Sequence, residues 1–258
     1  ITLVRTGVLD HSDSMGATAR FGGGDVQWLT AGRGILHAEM FPLVKDDTPN
    51  PLELFQIWLN LPAKQKMVDP YFSMYWSKDI PRHRFPDAAG RVTEVVTVAG
   101  SLGDGAMPKP PPNSWANDPA SDLAVWTLRL DPGAEWTLPA ARPGTNRSIY
   151  VFRGAGLKLA GRTIANKSMV KLRADVAAPL ANGTEVTEIL LLQGRPIGEP
   201  VVQYGPFVMN SREEIQQTIL EYRRTQFGGW PWRSDDPVHP KEEGRFARHA
   251  DGRIERPA

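Results

Sequence analysis

The sequence predicts an all-β fold of two small β-barrels in tandem, followed by a C-terminal helix and a tail. Short β-type runs dominate the chain, and clusters of Gly, Pro, Asn and Asp separate them. The strand pattern before about Pro86 recurs loosely from about Gly90 to Gly205. Many short, regularly spaced strands are typical of a sandwich or barrel. We therefore divide the chain into a first barrel at 1–85, a second barrel at 86–210, and a helix and tail at 211–258.

Each predicted strand is a short apolar or β-branched run bounded by turn residues. In chain order these runs are Val26–Thr30, Leu54–Leu59, Val92–Ala99, Ala124–Leu130, Ser148–Phe152, Met169–Leu172 and Val186–Leu192. The chain opens with a further apolar run at Ile1, and Asp10–Gly16 is interpreted as a polar turn. Pro108–Asn113 is interpreted as an extended, polyproline-like connector.

One helix is predicted after the second barrel. Ser211 and Glu214 form a capping-box pattern, and apolar residues then repeat at helical spacing to Tyr222. Gly228 and Gly229 are expected to end the element. The remainder is rich in charge, Pro and Gly, and we interpret it as a tail that Trp230 and Trp232 could hold in place.

Composition narrows the function classes. The 258 residues carry a formal net charge of +1, so no basic field argues for nucleic acid. The chain has no cysteine, which excludes disulfides, thiolate metal sites and Cys nucleophiles. No apolar run approaches the ~20 residues of a membrane-spanning helix. We expect a cytoplasmic protein with no membrane partner.

The most informative residues for chemistry are His37 and Glu39. Side chains alternate along a strand, so this imidazole and this carboxylate share one face, together with Ile35. Burying both without partners is costly, and a divalent metal would offset that cost. A surface pair or a hydrogen-bonded couple explains the same spacing. Two protein ligands alone also hold iron poorly, since three or four are usual.

Three longer segments carry a resemblance to a known family. They are GDVQWLTAGRGILHAEM at 24–40, LELFQIWLNLPAKQKMVDP at 52–70, and GPFVMNSREEIQQTIL at 205–220. Together they resemble the pirin family of bicupins, over a stretch from Ile1 to about Phe227. The resemblance implies two cupin, jelly-roll-like barrels, of which the first carries a metal.

That resemblance also implies a set of ligands. In pirins an H-x-H segment supplies two histidines, and an H-x-E segment, here His37 and Glu39, completes the site around iron, Fe(II) or another divalent metal. By the spacing of the family's first motif, Ile1 follows that motif's Glu by one residue. Two further His ligands are therefore expected upstream of Ile1, and the chain as given is not expected to retain the metal.

The other histidines are assigned no metal. His11 is interpreted as a solvent-facing hairpin residue, with a pH-tuned or substrate-contacting role as the alternative. His83 is placed on a surface connector, and His239 and His249 in the charged tail. No histidine occurs between His83 and His239, so the second barrel is predicted to bind no metal.

Several aromatic and polar residues near these motifs are interpreted as structural. A pocket wall for a flat aromatic substrate is the alternative for those in the first barrel. Arg33, between two glycines, is interpreted as a turn donor. Packing is predicted for most of the first-barrel group Trp28, Phe55, Trp58 and Trp76, and for both Trp126 and Trp136.

The resemblance leaves three functions open. One is a quercetin-type flavonol 2,3-dioxygenase, with Glu39 as the catalytic base, a flavonol-like substrate and dioxygen. The second is an iron-dependent, redox-sensing module that binds a protein partner without turnover. The third is a bicupin scaffold that has lost its metal. We expect the full-length protein to be a monomer.

Overall fold

A computed structural model describes residues 1–103 and 108–257. Residues 104–107, in the predicted second barrel, and Ala258, in the predicted tail, lie outside the described residues. The chain forms two compact units. The first unit comprises 1–79, 111–115 and 198–258, and the second comprises 80–110 and 116–197. The helix and tail, set apart as 211–258 in the sequence analysis, thus belong to the first unit.

Strands make up most of the regular secondary structure of the described residues, which also includes two α-helices and three short 3₁₀ turns. The strands are β1 (Thr2–Thr6), β2 (Val8–Asp13), β3 (Thr18–Gly22), β4 (Val26–Thr30), β5 (His37–Met40), β6 (Glu53–Gln56), β7 (Tyr71–Tyr75), β8 (Arg82–Pro86), β9 (Val92–Ala99), β10 (Ala124–Leu130), β11 (Glu135–Leu138), β12 (Asn146–Arg153), β13 (Lys158–Leu159), β14 (Arg162–Thr163), β15 (Ser168–Arg173), β16 (Ala178–Ala181), β17 (Thr187–Gly194), β18 (Val202–Tyr204), β19 (Phe207–Met209), β20 (Phe246–Arg248) and β21 (Ile254–Glu255). The helices are α1 (Ala63–Lys66) and α2 (Arg212–Thr225), and the 3₁₀ turns are Trp115–Asn117, Pro119–Ser121 and Gln226–Gly228.

The first unit contains two antiparallel sheets and a separate hairpin of β18 and β19. One sheet has the order β6-β1-β4-β7, and the other has the order β21-β20-β3-β2-β5. Apolar side chains from both sheets form one core, which includes Val4, Leu9, Phe21, Phe72 and Trp76. Burial of these side chains supplies the main driving force for the unit.

The hairpin β2–β3 differs from the prediction. Asp10–Gly16 is not a turn throughout, because residues 10–13 are strand and almost fully buried. Only residues 14–16 turn the chain. Asp10 forms a two-pronged ion pair with Arg20, at 2.7 and 2.8 Å, so its charge is compensated inside the protein. Because buried polar groups need hydrogen-bond partners, pairs such as this one allow the polar residues 10–13 to form a buried strand.

The tail docks on that hairpin. Strand β20 pairs with β3, matching Phe246 with Arg20. The Arg20 guanidinium also donates to the carbonyl oxygens of His239, Pro240 and Glu243, at 2.9, 2.6 and 2.9 Å. The Trp232 indole donates to the carbonyl of Asp13 at 2.8 Å. The tail therefore completes the second sheet of the first unit.

The second unit is built from a six-stranded sheet, β15-β12-β17-β10-β9-β8, and a four-stranded sheet, β11-β16-β13-β14. Trp126 is buried in its core and Trp136 packs against that core. His83 is not on a connector: it lies half-buried on β8, stacked on Phe85. This unit begins at Ile80, so it includes His83, which precedes the predicted start of the second barrel at residue 86.

Helix α2 begins as the sequence predicts. Ser211 caps it, with a complete capping box to Glu214. The helix ends at Thr225 rather than at the glycines, because Gln226 takes a left-handed conformation and a 3₁₀ turn follows. In the part of the chain that the structure describes, no helix is long and apolar enough to cross a membrane.

Candidate metal centre

Strands β2 and β5 bring two histidines and two carboxylates together. The strands pair so that His11 lies opposite Glu39 and Asp13 lies opposite His37. Residues two apart on a strand share a face, so all four side chains lie on one face of this strand pair. One ligand atom each from His11, His37 and Glu39 lies within 4.8 Å of the others. The structure therefore adds His11 to the predicted pair.

The His11 ring is fully buried, so its prediction as a solvent-facing residue is wrong. It stacks on Phe72 with ring centroids 5.4 Å apart, and its centroid lies 5.6 Å from that of His37. Nε2 lies 3.1 Å from Asp13 Oδ2, whereas Nδ1 is buried and has no hydrogen-bond partner among the described residues. A buried, unpartnered ring nitrogen is costly unless something binds it.

His37 and Glu39 are more open to solvent than His11. His37 is exposed and Glu39 is half-buried. Surrounding protein atoms nevertheless lower the pKa of His37, and the neighbouring His11 acts in the same direction, while Glu39 and Asp13 oppose them. A lowered pKa favours the neutral imidazole, which is the form that binds metals.

The Glu39 carboxylate is held on both oxygens. Oε1 accepts a hydrogen bond from the Thr2 hydroxyl at 3.0 Å, and Oε2 accepts one from Gln56 Nε2 at 3.2 Å. Thr2 and Gln56 lie opposite each other in the register of β1 and β6. Hydrogen bonds to a ligating carboxylate fix its orientation, as outer-shell groups do at metal sites.

The residues fit a divalent metal. Two imidazoles and a carboxylate are donors that first-row transition metals accept, and the unpartnered Nδ1 of His11 needs a partner of this kind. Held there, a metal would act as a Lewis acid toward an oxygen of a substrate. His37, Glu39 and His11 are the residues that would hold it.

Asp13 contacts both His11 and the backbone of the following turn. Its Oδ1 accepts hydrogen bonds from the backbone amides of Met15 and Ala17, at 2.9 and 3.1 Å. Its Oδ2 faces His11. The sequence did not indicate a role at the metal centre for His11 or Asp13, because the neighbouring Asp, Ser and Gly residues favour turns. The available signal was the spacing, since His11 and Asp13 repeat the two-residue interval of His37 and Glu39.

The other candidate residues lie apart from this group. His239 Nε2 contacts the Thr18 hydroxyl at 3.0 Å, and His249 Nε2 contacts Glu255 at 2.9 Å. The exposed Arg33 side chain pairs with Asp69 at 2.9 Å. These histidines and Arg33 thus have protein partners of their own.

The aromatic residues of the first unit divide into two groups. Trp28 and Trp76 are buried, as packing requires, and Phe55 is half-buried. Trp58 is 62% exposed, so packing does not account for this member of the set.

Comparisons with known proteins agree with this architecture. The family model described as Pirin matches residues 1–59, and the model described as Pirin C-terminal cupin domain matches residues 125–228. A Pseudomonas aeruginosa protein named "Putative quercetin 2,3-dioxygenase" is 38% identical over 229 residues, which are 88% of this chain and 75% of that protein. Human pirin is 34% identical over 235 residues, which are 88% of this chain and 73% of human pirin.

A solved structure shows the same relationship. The crystal structure of a quercetin 2,3-dioxygenase from Acinetobacter baumannii matches with a TM-score of 0.76 at 31% identity, covering 88% of this chain and 75% of that one. The predicted all-β class with cupin domains is thereby confirmed. The chain belongs to the pirin family of bicupins.

Proposed function

We propose that this protein is a metal-dependent dioxygenase that cleaves quercetin-type flavonols at an iron, Fe(II), site held by His37 and Glu39. The observation that carries the proposal is the convergence of His37, Glu39 and His11 within 4.8 Å. Relatives named as quercetin 2,3-dioxygenases support the substrate class. The reaction adds dioxygen across the flavonol heterocycle, opens the ring and releases carbon monoxide.

Glu39 is the proposed base. A flavonol 3-hydroxyl within hydrogen-bond reach of the carboxylate would transfer its proton to a Glu39 oxygen, leaving the enolate that reacts with dioxygen. Thr2 and Gln56 orient the carboxylate for this transfer. His37 and Glu39, with His11, would hold a metal whose Lewis acidity would stabilise the enolate oxygen. The Phe72 ring stacks on the buried His11 ring and covers that side of the centre, whereas His37 is open to solvent.

The test is turnover of quercetin by the iron-loaded chain, followed as loss of flavonol absorbance and release of carbon monoxide. Glu39→Gln keeps the shape of the side chain but removes the base, and a general base contributes typically ~10²–10⁴-fold to the rate. Glu221→Gln on α2 is the matched control, because the Glu221 carboxylate pairs with Arg224 of its own helix.

Two outcomes would contradict this assignment. Equal turnover by Glu39→Gln and wild type would exclude Glu39 as the base. Iron binding without any turnover would instead favour the second function, an iron-dependent, redox-sensing module that binds a protein partner.

A further inference from the structure

We propose that His11 is a third metal ligand of this chain, binding through Nδ1, and that Asp13 is the positioning residue that reserves this nitrogen for the metal. The inference deepens the proposed function and depends on its metal site. Neither residue belongs to the pirin ligand set that the sequence implies. The two ring nitrogens of His11 have different surroundings: Nε2 faces Asp13, and Nδ1 has no hydrogen-bond partner among the described residues.

The first step is the geometry of the ring. His11 is fully buried, and it is held between the Phe72 ring, at 5.4 Å, and the His37 ring, at 5.6 Å. Its strand is fixed in register against Glu39. A ligand atom of His11 already lies within 4.8 Å of those of His37 and Glu39. Little rearrangement is therefore needed for all three to reach one ion.

The second step is the position of the ring hydrogen. An ionised carboxylate only accepts hydrogen bonds, so Asp13 Oδ2, at 3.1 Å, requires a hydrogen on His11 Nε2. The neutral ring then has its lone pair on Nδ1, which is the atom without a partner. Carboxylate–histidine–metal arrangements use the same device to fix the tautomer of a ligand.

The third step is the rigidity of Asp13 itself. Its Oδ1 is occupied by two backbone amides, those of Met15 and Ala17. Its carbonyl oxygen accepts the Trp232 indole N–H at 2.8 Å. Asp13 therefore cannot rotate away from His11 without losing contacts inside its own turn. This makes it a fixed hydrogen-bond acceptor and not a second ligand.

The experiment measures binding of Co(II), whose absorption spectrum reports ligand number and geometry. The metal-free chain is titrated with Co(II), and the dissociation constant and visible spectrum are recorded for wild type, His11→Phe, His37→Ala and Asp13→Asn. Phe in place of His11 keeps an aromatic ring against Phe72. His83→Gln and Asp175→Asn, both in the second unit, are the matched controls.

We expect His11→Phe to weaken Co(II) binding and change the visible spectrum. Asp13→Asn keeps the acceptor for Met15 and Ala17 but presents an N–H to His11 Nε2, which moves the ring hydrogen to Nδ1. Loss of an outer-shell partner typically weakens metal binding by ~10–100-fold, and we expect that range here. The spectrum at saturating Co(II) should also change, which a purely structural role of Asp13 would not cause.

The outcomes separate this inference from the proposed function. If wild type binds no Co(II), both fail. If His37→Ala loses binding while His11→Phe keeps the wild-type constant and spectrum, only the role of His11 is overturned. If Asp13→Asn lowers the melting temperature of the metal-free protein but leaves the constant and spectrum unchanged, the positioning role of Asp13 is overturned.

Discussion

Replacing Arg20 with Met would break a deeply buried ion pair in the first unit. The side chain of Arg20 is 2% exposed and that of Asp10 is fully buried. Arg20 makes two hydrogen bonds to Asp10 and three to tail carbonyl oxygens. Met fills a similar volume, so the change removes the charge and the donors but leaves little cavity.

The magnitude follows from what is left behind. Asp10 would keep the backbone N–H of His239, at 2.9 Å, against its buried charge. Removing one partner of a buried pair costs about 3–5 kcal/mol. Total stabilities are about 5–15 kcal/mol, so the loss would be a large fraction of the free energy of unfolding. The three tail carbonyls would also lose their donor, which favours release of the tail.

Urea unfolding measures this loss, and limited proteolysis measures release of the tail. The double variant Asp10→Asn with Arg20→Met should recover part of the stability, because the unpaired charge is gone. A loss below about 1 kcal/mol for Arg20→Met, or strictly additive effects in the double variant, would refute this reasoning.

Three further predictions concern other parts of the chain. Burial lowers the pKa of His239 below 6.5, so below about pH 6.5 the unfolded chain binds a proton at this residue more readily than the folded chain. The free energy of unfolding should therefore fall as the pH is lowered through this range. His239→Gln should make its dependence on pH, measured by urea unfolding, less steep. The two N–H hydrogens of the Asn182 side chain are shared among three carbonyl oxygens, and its oxygen accepts from an amide and a hydroxyl of the second unit. Asn182→Ala should therefore cost about 2–4 kcal/mol in the free energy of unfolding, at ~1 kcal/mol or less for each of four hydrogen bonds; a loss under half of that would show that water replaces them. Ser211→Ala removes the cap of α2 and should cost about 1 kcal/mol in thermal unfolding, whereas Ser211→Asp should restore it.

The strands that the sequence predicted well are those with continuous apolar patterns. Val92–Ala99 and Ala124–Leu130 match β9 and β10 residue for residue, because both cross a core on at least one face. The capping box of α2 was equally readable, since it depends on residues three apart. Such patterns predict an element from its own residues, without knowledge of its partners in the fold.

The metal centre was only half predictable. His37 and Glu39 stand in a recognisable segment, whereas Asp10–Asp13 combine residues that usually form turns. They are strand here because their partners lie elsewhere in sequence, at Arg20 and in the tail. Burial of His11 therefore depends on tertiary pairing, which one sequence does not reveal.

The interleaving of the two units constrains the order in which they can form during synthesis. The second unit is complete when Ile197 has been made, but the first still lacks β20 and the tail acceptors of Arg20. At ~5–20 residues per second, translation of 198–258 takes roughly 3–12 s. During that interval the Arg20 guanidinium and the Asp10 carboxylate can pair with each other but not with the tail. The hairpin that carries His11 therefore reaches its final pairing only after strand β20 has been translated.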